Sequence, residues 1–186
     1  MSELHFRTFI SFAGVALLLS CQSQTGDSRN QQNATERQQE DLRSSQNEQQ
    51  RENLIRYNQN LKNLEDRNIR AFIEASGLPY IPSGSQAIYT AILEKGNGPK
   101  ILEGQKITIH SQMSDLKGNR LENDRFLDVI VNGDSEATLG LQNVLMTAHI
   151  GDSLTCVIPF KDAYGVAGHN SIPLYTTIVY YLRILQ

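Results

Sequence analysis

The strongest constraint on the fold is a change in hydrophobic periodicity about two fifths of the way along the chain. From about Leu78 onward, Ile, Val, Leu and Tyr alternate with polar residues in short runs that end in glycine-rich turns. A period of two places successive side chains on opposite faces of a strand, so each run predicts a strand. One stretch instead carries Leu141, Val144, Leu145 and Ala148 at helical spacing. We therefore predict an α+β domain, an antiparallel sheet crossed by one short helix.

The predicted turns divide this region into separate elements. Gly118 lies in a hairpin turn that requires a positive φ, and Gly151 ends the short helix. Leu154, Cys156 and Ile158 share the inward face of one strand, so we expect Cys156 to be a buried small hydrophobe. The predicted strands cover residues 87–93, 106–113, 128–131, 153–159 and 176–185, and the predicted helix covers 137–149.

The first half of the chain has a different composition. Residues 22–50 are rich in Gln, Asn, Ser, Glu and Arg, and bury too little apolar surface to offset their ordering entropy. We predict a polar tether over 21–50, whose later part contains good helix formers. A helix is predicted over 51–77, because Gly77 and Pro79 end it. Its apolar stripe consists of Leu54, Tyr57, Leu61, Leu64 and Phe72.

Two roles for this helix remain open at the level of sequence. The stripe could pack on the C-terminal domain of the same chain, or it could pair with a second copy to form a homodimer.

The extreme N-terminus resembles a bacterial lipoprotein signal. The apolar run of residues 9–20 is shorter than the ~20 residues of a spanning helix and has the length of a signal-peptide core. It ends in Leu18-Leu19-Ser20-Cys21, which resembles a lipobox cleaved before the cysteine. Acyl chains on Cys21 would anchor the protein stably, at ~0.8 kcal/mol per buried CH₂. We therefore expect a lipid-anchored protein of the cell envelope that faces the periplasm; a plain signal peptide is the alternative.

Charge and cysteine content exclude other classes of partner. The formal net charge is −3 with no basic block, so nucleic acid is not an expected partner. The two cysteines, Cys21 and Cys156, are too isolated to form a zinc site, and no metal is predicted.

The string Lys-Asp-Ala-Tyr-Gly-Val-Ala-Gly-His at residues 161–169, followed by Ile172-Pro173, resembles the loop of FKBP-type peptidyl-prolyl cis–trans isomerases. Further segments match that family in order and spacing over roughly residues 85–186. They are residues 96–99, 102–105, 107–110 and 176–180, Gly118, Gly133, Gly140, Gly151, and Ile158-Pro159. The resemblance implies an FKBP-like domain over 78–186. The complete layout resembles the gliding-motility-associated peptidyl-prolyl isomerase lipoproteins.

The resemblance also implies a chemistry that needs no nucleophile, metal or cofactor. Rotation about a peptide bond has a barrier of ~18–20 kcal/mol, because twisting removes amide resonance. The twisted state is less charge-separated than the planar one, so a dry apolar pocket favours it over water, and a few hydrogen bonds stabilise it further. The expected partners are proline-containing polypeptides.

The family's site residues transfer to seven positions, here called the predicted site residues. Tyr164 would donate to the bound peptide, Ile172 and Tyr180 would be pocket walls, and Leu141 would be the floor. The remaining three are Thr138, whose backbone N–H would bind a peptide carbonyl beside Ala137, and the pair Leu121 and Glu122.

Three aromatic walls of the family are missing. Leu141 replaces a Trp, Leu121 replaces a Phe and Ser111 replaces a Tyr. Two functions therefore remain open, a membrane-anchored isomerase or folding helper, and a non-catalytic binding module of an envelope assembly. A third possibility makes the Gln-rich helix the working part and the domain a spacer.

Overall fold

The computed structural model describes residues 27–83 and 87–185. The predicted signal peptide and Cys21 lie outside this range. The chain divides between Asn53 and Leu54 into two compact units. Among the helices of the described ranges, none is both long and apolar enough to cross a bilayer.

Helix α1 extends over Asp27–Ser76, so its predicted start at Arg51 was wrong, and residues 27–50 of the predicted tether are helical. All side chains from Glu36 to Asn53 are exposed, including Leu42. Apolar periodicity therefore gives no signal there, and the helix depends on its Gln, Glu and Arg content. At the other end Gly77 has a φ of 65°, which terminates the helix as predicted.

The second unit contains a six-stranded antiparallel sheet and a short helix, which confirms the predicted α+β class. The strand order is β1-β2-β5-β6-β3-β4. Helix α2 contacts β2 and β5. The strands are β1 Ile81–Ser83, β2 Ile88–Glu94, β3 Lys106–Ser114, β4 Arg120–Ile130, β5 Ser153–Ile158 and β6 Ile178–Ile184; α2 is Leu139–Leu145, and a 3₁₀ turn covers Phe160–Asp162.

Three boundaries differ from the prediction. Strand β4 begins at Arg120 rather than at residue 128. Its first half lacks the apolar alternation on which the prediction depended, and it is held by backbone pairing with β3 across register shifts. Helix α2 is shorter than 137–149, since Thr138 is its N-cap and the chain turns after Leu145. The short strand β1 was not predicted at all, and it pairs with β2.

The sheet is buried on both faces at its centre. On one face α2 packs against the strands, and Cys156 is fully buried there as predicted. On the other, Val157 and Val179 pack with Ile69 of α1. Phe72 and Ile73 support this second cluster.

The predicted stripe on α1 is only partly its packing face. Phe72 packs on the sheet and Leu61 is half-buried, which agrees with packing on the C-terminal domain of the same chain, whereas Leu54, Tyr57 and Leu64 are exposed. The buried Ile69 lies outside the predicted stripe, because α1 carries apolar residues on more than one face.

Candidate functional site

Two tyrosines form the centre of the candidate site. Tyr180 lies on β6 opposite Met113 and Cys156, and it is only 2% exposed. Its hydroxyl lies close enough to that of Tyr164 for a hydrogen bond to contribute to the pKa of each phenol. Burial raises the pKa of both phenols. Both hydroxyls therefore carry their protons at neutral pH and can act as hydrogen-bond donors.

The loop of residues 160–177, here the Tyr164 loop, holds Tyr164 in a tight turn. The Phe160 carbonyl accepts from the N–H of Ala163 at 3.1 Å and from that of Gly165 at 2.7 Å. Gly165 has a φ of 67°, a conformation that favours glycine. Its carbonyl then accepts from the Tyr175 N–H. The loop thus fixes the backbone on both sides of Tyr164.

A histidine stacks on the ring of Tyr164. The centroids of Tyr164 and His169 lie 5.4 Å apart at an interplanar angle of 14°. His169 and Ile172 exchange backbone hydrogen bonds at 2.8 and 3.0 Å, which folds the end of the loop back toward Tyr164. The sequence contained His169 within the matched string, but nothing in it indicated the ring contact.

The apolar members of the predicted site come together. Leu141, Ile172 and Tyr180 belong to the main core cluster, and Leu121 and Tyr164 pack against it. Ala137 and Leu127 do so as well, and Leu127 is a core contact that the sequence analysis missed. Its alternation with Val129 on β4 was the available signal.

Exposure is unequal among these residues. Leu141 and Ile172 are 1% and 3% exposed, so with Tyr180 they form a closed floor rather than open walls. Tyr164 and Leu121 are half-buried and supply the accessible surface. Ser111, which stands where the family has a Tyr, is 5% exposed.

Thr138 caps the N-terminus of the short helix α2. It is the N-cap of α2, and its side chain accepts from the Leu141 N–H at 3.4 Å. The Thr138 carbonyl accepts from the Gln142 N–H at the start of the helix. The N–H of Thr138 itself has no acceptor within the helix. The donor lies at the start of the helix that carries the floor residue Leu141.

A chain of three charges lies near Tyr164. Arg125 Nε is 3.5 Å from Glu122 Oε2, an ion pair without hydrogen-bond geometry, and its Nη1 is 3.2 Å from Glu136 Oε2. Burial has the largest effect on the pKa of Tyr164, followed by the hydrogen bond with Tyr180. Of the nearby charges, Glu122 and Glu136 raise this pKa and Arg125 lowers it. The sequence analysis included Glu122 but missed Arg125 and Glu136, which come from separate elements.

A separate cleft of about 400 Å³ lies between α1, the β3–β4 turn and the ends of the Tyr164 loop. Its walls include Leu61, Glu65, Leu116, Phe160 and Thr177. None of the predicted site residues lines it. We place the candidate site at Tyr164, because Ser171 of its loop donates to the Leu121 carbonyl at 2.7 Å, and Leu121 and Tyr164 both pack against the core that contains Ile172 and Tyr180.

Comparison with known structures identifies the fold. The chain is similar to AtFKBP13, with 19% identity, a TM-score of 0.52, and coverage of 57% of this chain and 97% of that one. It is also similar to FkpA from Escherichia coli, with 16% identity, a TM-score of 0.57, and coverage of 90% and 74% respectively. A peptidyl-prolyl cis–trans isomerase from Pseudomonas syringae pv. tomato has 18% identity and a TM-score of 0.54, with coverage of 67% and 93%.

These similarities show that the chain has the FKBP fold, and at such identities they show the fold alone. No family model matches the sequence, and no curated protein sequence matches it.

Proposed function

We propose that this protein is a prolyl isomerase or folding helper that acts on proline-containing polypeptides in the bacterial cell envelope. The observation that carries the proposal is the packing of Tyr164 against the apolar core that contains Tyr180, Leu141 and Ile172, in an FKBP fold. In this proposal the prolyl ring is desolvated against Leu121 and the exposed side of Tyr164. The Tyr164 hydroxyl and the Thr138 N–H hold carbonyls of the client while its amide twists.

The proposal predicts that the full chain accelerates a refolding reaction limited by proline isomerisation. Tyr164→Phe should lower that acceleration about tenfold, because one hydrogen bond in the transition state is worth roughly 1.5 kcal/mol. The rate is measured with a client whose slow phase is X–Pro isomerisation.

The matched control is Tyr181→Phe, which removes the same hydroxyl from the neighbouring, exposed position on β6. This control should behave as the wild type. An equal loss in both variants, or no acceleration by the wild type, would contradict the isomerase proposal.

A second function is favoured by the closed floor. With Leu141, Ile172 and Tyr180 almost inaccessible, the domain has little room for a prolyl ring without side-chain movement. A non-catalytic module that binds polypeptides in an envelope assembly, such as a gliding apparatus, fits that geometry. Absence of acceleration by a folded wild-type chain would favour this second function.

We further propose that Cys21 is acylated and anchors the protein to the membrane facing the periplasm. The lipobox-like string before Cys21 supports this. Cys21→Ser should abolish incorporation of a labelled fatty acid and move the protein from the membrane to the soluble fraction. Retention of the label in this variant would exclude Cys21 as the acceptor.

We also propose that α1 mediates a homodimer through residues 51–77. Leu54, Tyr57 and Leu64 of the predicted stripe are 63%, 53% and 47% exposed on this helix, so these side chains are available to a second copy. Light scattering on the Cys21→Ser chain should give twice the mass of one chain. A monomer mass at micromolar concentration would exclude the dimer.

A further inference from the structure

We propose that Glu65 is a positioning residue, a link through which helix α1 fixes the two ends of the Tyr164 loop. Its consequence for catalysis rests on the proposed isomerase function, whereas the link itself is a property of the fold.

One carboxylate oxygen makes both contacts. Glu65 Oε1 accepts from the Phe160 N–H at 2.8 Å and from the Thr177 hydroxyl at 2.6 Å. Phe160 and Thr177 are the first and last residues of the Tyr164 loop. A single oxygen on α1 therefore closes the loop at its base.

Both ends lead directly to the tyrosine pair. The carbonyl of Phe160 holds the N–H groups of Ala163 and Gly165, the two neighbours of Tyr164. Thr177 immediately precedes β6, the strand that carries Tyr180. Displacement of either end would alter the distance between the two hydroxyl groups.

The apolar attachment of α1 to the sheet does not include the Tyr164 loop. It depends on Ile69, Phe72 and Ile73 against Val157 and Val179. The loop ends instead border the 400 Å³ cleft, which Glu65 also lines. The ring of Phe160 packs edge-to-face on that of Tyr175 at 5.3 Å, and Glu65 adds the hydrogen bonds that tie both loop ends to α1.

Burial and hydrogen bonding shift the pKa of the Glu65 carboxyl in opposite directions. Burial raises the pKa of Glu65, while the hydrogen bonds from Thr177 and Phe160 lower it, and the charges of Asp66 and Asp162 raise it. A half-buried carboxylate in this setting is stabilised chiefly by those two donors.

The test is hydrogen exchange by NMR on the full chain, comparing Glu65→Ala, Glu65→Gln and Glu74→Ala. Glu65→Ala should raise exchange at the amides of Ala163 and Gly165 about tenfold, the effect expected for losing a charge-assisted bond. Glu65→Gln keeps an acceptor oxygen and should largely restore protection. Glu74→Ala is the control, the same change at an exposed glutamate of the same helix.

Refolding kinetics with the same variants give the catalytic consequence. Glu65→Ala should lower kcat severalfold with KM little changed, since the loop is misplaced but the apolar surface is kept. Unchanged exchange at Ala163 and Gly165 in Glu65→Ala would overturn the inference. A wild type without isomerase activity would overturn the proposed function, while raised exchange in Glu65→Ala would still support the link.

Discussion

Replacement of Gly140 by alanine should lower the free energy of unfolding by about 2–3 kcal/mol, even though alanine is the better helix former. A Cβ atom at this position would lie 2.3 Å from Ile158 Cγ2 and 2.8 Å from the Asp162 carbonyl oxygen. Ile158 is fully buried, and the Asp162 carbonyl is backbone, so neither can move away easily. Helix α2 would have to shift, and Leu141 would shift with it.

Urea unfolding of the full chain measures this effect. Tyrosine fluorescence is a suitable signal, because the chain has seven tyrosines and no tryptophan. The matched control is Gly104→Ala, where φ is 76° but no atom lies within 4 Å of the new Cβ. That change should cost only the backbone term, about 1 kcal/mol. A Gly140→Ala variant at least as stable as the wild type would contradict the described approach of α2 to β5.

The sequence predicted the elements that have a clear period. Strand β3 alternates throughout and β5 alternates as far as Cys156, and their predicted and observed bounds agree within a residue. Helix α1 before Arg51 has no apolar period because it is exposed. Strand β4 before residue 128 has none because its exposed and half-buried residues do not follow a period of two. Their structure comes from helix propensity and from pairing with a neighbour, neither of which depends on a buried face.

The candidate site could be predicted only in part. Positions that match the family loop, such as Tyr164 and Ile172, were identified from their order along the chain, and their proximity follows from the fold. Arg125 gave no signal, because a charged residue on a strand is ordinarily solvated, and Glu65 gave none, because its contacts join elements far apart in sequence. Glu65 and Thr177, for example, are separated by 112 positions.

The sequence also did not predict how deeply the floor residues Leu141, Ile172 and Tyr180 are buried. A Leu in place of the family's Trp predicts a shallower pocket, whereas the structure has Leu141 at 1% exposure within the core. Residue type indicates how much volume a side chain can fill. Exposure depends on whether Ile172 and Tyr180 cover it.

Leu141→Ala tests the floor most directly, because it removes a buried side chain at the centre of the site. We expect a loss of about 3 kcal/mol in the free energy of unfolding, the usual cost of a Leu→Ala cavity in a core. Leu139→Ala is the matched control, the same change on the same helix at a residue that is 61% exposed. That control should alter stability by no more than about 0.5 kcal/mol. A small loss at Leu141 would mean that neighbouring side chains collapse into the space.

The same variant separates the two proposed functions at a temperature where it remains folded. If the floor supports a bound prolyl ring, the cavity leaves that ring without contacts on one side, and kcat/KM for refolding should fall together with stability. If Leu141 serves only to pack α2 on the sheet, isomerase activity per folded molecule should stay at the wild-type value. A loss confined to stability would assign Leu141 to the core and leave Tyr164, Leu121 and the Thr138 N–H as the whole of the client-binding surface.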